Sequence, residues 1–114
     1  MEAVARSAAG GPAAPAPAAG VRDQAYWANR LKALQDTLAR DENYADAMQT
    51  RINALTTDFV NRDDPAQRAV IEKNRQKSLA ELASLTKSVA DTRKAIANLH
   101  EEARRAGVPP GWLR

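Results

Sequence analysis

The sequence contains no cysteine, so disulfides and thiolate chemistry are excluded; a cytoplasmic protein and an exported, disulfide-free helical one fit that absence equally well. Aromatic residues are only 4% of the chain, too few to line an enclosed pocket. No stretch of 18 or more apolar residues occurs, so no segment is expected to span a membrane. Glycine and proline are absent from Gln24 to Phe59, which leaves a helix uninterrupted over that length. There is no glycine-rich phosphate loop, no nucleophile elbow and no pair of carboxylates placed for a cleft, so no catalytic residue and no cofactor is expected, and the chain is read as non-enzymatic. His100 is the single histidine; Glu101 and Glu102 beside it point around the helix rather than toward one point, so no metal site is expected.

What the sequence has is charge, 27% of residues, on an Ala- and Leu-rich background, the composition of long solvated helices that share a thin apolar contact. The pI near 9.6 suggests an anionic partner until the charge is apportioned. Residues 21–62 carry 6 basic and 6 acidic side chains, and residues 63–107 carry 9 and 7, so the surplus is thin and dispersed. Lys73, Arg75, Lys77, Lys87, Arg93 and Lys94 are broken up by Glu72, Glu81 and Asp91 and have no interleaved aromatics. They read as solvated helix faces, so nucleic-acid or anionic-surface binding is a minor alternative.

Residues 1–20 hold 9 Ala, 3 Pro and 3 Gly, a composition that cannot bury enough apolar surface to offset ordering entropy, and residues 1–22 read as a disordered tether. No apolar run follows Met1, and Glu2 sits where a signal peptide would carry positive charge. The segment Ala8 to Gly20 nonetheless resembles the small-residue spacer that follows a cleaved signal or lipid anchor. Two locations are therefore compatible: cytoplasmic as written, or exported and periplasmic behind a preceding signal.

An all-α fold follows from the remainder. Asp23 is placed to cap a first helix, and Asn61-Arg62-Asp63 to end it. Asp64 at the next cap, Pro65 at the first helical position and Gln67 three residues after the cap restart the chain as a second helix. Gly107 is placed for a left-handed cap, and Pro109-Pro110 forbid continuation. The expected helices cover residues 24–61 and 65–106, each about 60 Å long, within a hairpin over residues 23–107 that leaves 108–114 as a tail.

Apolar residues follow a heptad pattern in both helices: Trp27, Leu31, Leu34, Leu38, Ala45, Met48, Ile52, Leu55 and Phe59 in the first, and Ile71, Leu82, Leu85, Val89, Ile96, Leu99, Ala103 and Ala106 in the second. Antiparallel pairing with residue numbers summing to 130 sets Trp27 against Ala103, Leu31 against Leu99, Leu34 against Ile96, Met48 against Leu82, and Phe59 against Ile71. The same register brings Arg30 to Glu102 and Arg51 to Glu81 on the flanks. Asp41 against Val89, Leu38 against Thr92, and Ile52 against Ser78 are its polar layers. An unpaired buried carboxylate costs several kcal/mol, so Asp41 is expected to lean to solvent or to find a partner, and to limit misregister and higher oligomers.

Two places exceed what a hairpin needs. At the turn, Phe59, Val60, Val70, Ile71 and Leu79 form an apolar group that two helices cover poorly, a candidate surface for a protein partner or for self-association, including a homodimeric four-helix bundle. At the other end, Pro110-Gly111 suits a type II turn that folds Trp112 and Leu113 back near Tyr26, Trp27 and Leu99; a free C-terminal ligand motif is the alternative.

The stretches RINALTTDFVNRDDPAQRAVIEKNRQK (Arg51 to Lys77) and EEARRAGVPPGWLR (Glu101 to Arg114) resemble those of uncharacterised bacterial helical-hairpin and coiled-coil proteins, many of them exported. That resemblance favours a signal ahead of Met1; an exported, envelope-associated coiled-coil protein on a flexible tether is the alternative reading. The resemblance implies no activity and transfers no functional residues. The sequence thus predicts a long antiparallel two-helix coiled-coil hairpin serving as a structural or protein-interaction module, with no small-molecule substrate.

Overall fold

A computed structural model describes residues 22–114. The tether expected at the N-terminus lies, except for Arg22, outside the described residues. The described residues form two long helices, α1 (Gln24–Asn61) and α2 (Pro65–Arg105), joined by a three-residue turn as a helical hairpin, followed by a short 3₁₀ turn (Pro110–Leu113). No strand occurs among them.

The helix ends follow from local chemistry. Asp23 accepts the Tyr26 N–H at 3.0 Å through its side chain, and Asp64 accepts the Gln67 N–H at 3.1 Å, so each carboxylate satisfies one of the N–H groups that the first turn leaves without a partner. The reciprocal half of a capping box is not made at the second cap, because the Gln67 side chain accepts from Arg62 at 3.2 Å instead. α2 stops at Arg105, one residue before the expected Ala106. Gly107 turns left-handed (φ 78°), its N–H donates to Arg104 O at 3.1 Å, and the Val108 N–H donates to Ala103 O at 3.0 Å. That pair of bonds is the Schellman closure and makes Ala106 the capping residue.

Two compact units can be described separately. The first joins residues 22–35 to Ile96–Arg114. Its core is Trp27, Leu31, Leu99 and Ala103, all buried, with Tyr26, Leu34, Ile96, Val108, Trp112 and Leu113 packed against them. Among them, Trp27, Leu31, Leu34, Ile96, Leu99 and Ala103 are the residues that the sum-of-130 register sets face to face. On its flank Arg30 grips Glu102 through both guanidinium nitrogens, at 2.8 and 3.1 Å, and donates to the Tyr26 hydroxyl at 3.2 Å.

The second unit is Asp36–Ala95. Ile52 is its buried apolar residue, beside two buried polar ones, Asp41 and Ser78. Cross-helix bonds run Glu42 to Arg93, Ser78 to Arg51 (3.2 Å), Thr56 to Arg75 (3.0 Å) and the Phe59 carbonyl to Arg68 (3.2 Å). Later residues of α1 meet earlier residues of α2, which is antiparallel pairing. One expectation changes here. Arg51 donates to the buried Ser78 hydroxyl, not to Glu81, because a hydroxyl in the seam needs a partner more than an exposed carboxylate does. Of the two outcomes expected for Asp41 the second holds: it is 8% exposed rather than turned to solvent, and its ion-pair partner is Arg40 Nε at 3.5 Å.

Candidate interaction surfaces

The turn end of the second unit separates residues that the sequence places in one group. Phe59 is half-buried under the Arg68 guanidinium, 4.3 Å above its ring, so a cation covers the aromatic face at the tip. Ile71 and Leu79 are also half-buried. Val60 and Val70 are the exposed ones, at 67% and 60%. A depression of about 450 Å³ is lined by Asp58, Arg62, Ala66, Gln67, Val70 and Ile71; Val60 does not line it. The structure therefore brings Val70 and Ile71 together and leaves Val60 as a separate apolar point. The heptad explains this, since Val60 and Val70 fall at outer positions that border opposite flanks of the seam.

In the first unit the C-terminal segment folds onto the core. Trp112 and Leu113 are half-buried against the Trp27, Leu31, Leu99 and Ala103 cluster. The turn that brings them there differs from the expected type. A type II turn needs positive φ at Gly111, and Gly107 alone among the described glycines has it. The chain instead closes a 3₁₀ turn, with Pro109 extended (φ −60°, ψ 136°) and the Trp112 N–H donating to Pro109 O at 3.0 Å. His100 is exposed and lines a small groove of about 240 Å³ with Pro109, Pro110 and Leu113.

Electrostatics concentrate at the same end. The two-toothed hydrogen bond from Arg30 holds the Glu102 carboxyl below the usual carboxylate range and raises the Arg30 guanidinium in turn. Arg104, with Arg105, does the same for Glu101. Arg30, Glu101, Glu102, Arg104 and Arg105 are thus partnered within the fold.

Sequence reasoning missed Tyr44, which is 57% exposed on α1. The signal was available: an aromatic at a flanking heptad position, with Ala47 and Ala54 one and three turns on along the same face, is not accounted for by the seam.

No protein-family model, curated protein or solved structure matches the chain.

Proposed function

We propose that this chain is a non-enzymatic structural or protein-interaction module, whose paired helices present apolar side chains to a protein partner or a second copy. The observation that carries this reading is the exposure of Tyr44, Val60 and Val70 on a helix pair that buries only five hydrophobic residues. Large side chains left in water on so thin a core lower the free energy of association when covered. Three of the six basic side chains that interrupt the acidic ones on α2 are engaged within the fold: Arg75 with Glu72 and Thr56, Lys87 with Asp91, and Arg93 with Glu42. Among the described residues no helix is long and apolar enough to cross a membrane.

The test is a Tyr44→Asp/Val60→Asp/Val70→Asp triple variant. All three positions are exposed, so helicity by circular dichroism is expected to stay at the wild-type level while solution mass and partner capture both fall. A triple variant that keeps both mass and capture sinks the reading.

A further inference from the structure

The exposed face of α1 in the second unit carries an order that the seam does not require. Arg40, Tyr44, Ala47, Arg51, Ala54 and Asp58 recur at alternating intervals of four and three residues, which places them on one stripe beside the seam. All six are exposed. Tyr44 is the large apolar member, and the Arg40 side chain is 61% exposed. Asp58 makes no hydrogen bond or ion pair among the described residues, and it lines the depression walled by Val70 and Ile71. Arg51 is drawn back toward α2 by its bond to Ser78.

We infer that this stripe is the contact surface for a second copy of the chain, with the two α1 helices antiparallel and facing residue numbers summing to 98. In that register Arg40 faces Asp58 of the other copy, Tyr44 lies over Ala54, and Ala47 receives the stem of Arg51. A two-fold axis near residue 49 repeats each contact, so the dimer holds two Arg40–Asp58 pairs and two tyrosines each set over an alanine. A surface complementary to itself in this way is what an isologous dimer needs. The depression at Asp58 has apolar walls in Ala66, Val70 and Ile71, and its one cation, Arg62, is bonded to Gln67, which leaves the Asp58 carboxylate for an arginine whose stem packs while its guanidinium pairs. The inference rests on the interaction-module reading and adds to it the partner and the register.

Its test uses a property that no merely structural role shares. Arg40→Glu alone sets two carboxylates against each other at both ends of the dimer, and Asp58→Arg alone sets two guanidinium groups against each other. Mixing the two variants restores opposite charge at both ends. Sedimentation equilibrium on each single variant is expected to show self-association weaker by about tenfold or more. The mixture is expected to return to the wild-type dimer mass as a one-to-one heterodimer. Tyr44→Ser, which alters no charge, should also weaken the dimer, and circular dichroism on all three variants confirms that the helices persist. The inference is overturned if the wild-type chain is monomeric, if either charge variant alone dimerises as the wild type does, or if the mixture fails to recover. In any of those cases the interaction reading stands when the triple apolar variant still loses partner capture, and falls when it does not.

Discussion

At the residue scale, most positions are explained by one dominant physical cause. The two glycines near the C-terminus separate two such causes. Gly107 and Gly111 both have open space where a Cβ would go, with nothing within 4 Å, so sterics against neighbours is the same at each. They differ in backbone: Gly107 is left-handed and Gly111 is not. Gly107→Ala is therefore expected to cost about 1–2 kcal/mol through backbone strain alone. Gly111→Ala should be neutral or should gain up to about 1 kcal/mol by restricting the unfolded chain. Thermal melts of the two variants check this, and equal shifts would show that the cap does not govern that end. The glycine at 107 was legible because a cap followed by two prolines has one common solution. The glycine at 111 was not, because Pro-Gly is compatible with both a type II turn and a 3₁₀ turn. The choice between them depends on where Trp112 and Leu113 find apolar surface, which is tertiary information.

Asp41 belongs to the element scale, because its effect is on the seam that both helices share. The heptad pattern made the helices, the turn and the facing pairs readable from sequence alone, since alternate spacing of four and three fixes a stripe and the cap residues fix its ends. Pairings of polar side chains were less legible. The charge pattern sets Arg51 against Glu81, and its bond goes instead to Ser78, whose burial is not written in the charge pattern. Asp41 is legible as the charged position among the polar layers of the seam, but its burial beside Arg40 shows that the helices close over it. Asp41→Leu is expected to stabilise the hairpin by about 1–3 kcal/mol, because it removes a weakly partnered carboxylate from an apolar layer. The same change should broaden the distribution of oligomers, since a polar seam residue penalises alternative packings. A lower melting temperature for Asp41→Leu would contradict this and would mean that the carboxylate is worth more in place than the methyl groups that would replace it.

At the scale of the whole molecule, the surfaces left over from the seam decide what the chain does. The tip residues were foreseeable as a group because they cluster in sequence around the turn, but their division between Val60 and Val70 follows from helix phase. Arg68, covering Phe59 from above, removed an aromatic from the surface that composition alone would leave exposed. Tyr44 went unread for the opposite reason: it sits mid-helix, where a lone exposed aromatic looks ordinary until its neighbours on the same face are counted together. With Trp112 and Leu113 turned onto the core of the first unit, the large exposed apolar side chains among the described residues, Tyr44, Val60 and Val70, are on the second. The most direct measurement is the sedimentation-equilibrium mass of the unmodified chain from micromolar to near-millimolar concentration. The account predicts a transition from 12.4 kDa to twice that mass, reached without loss of helicity. A mass of 12.4 kDa at every concentration would contradict it.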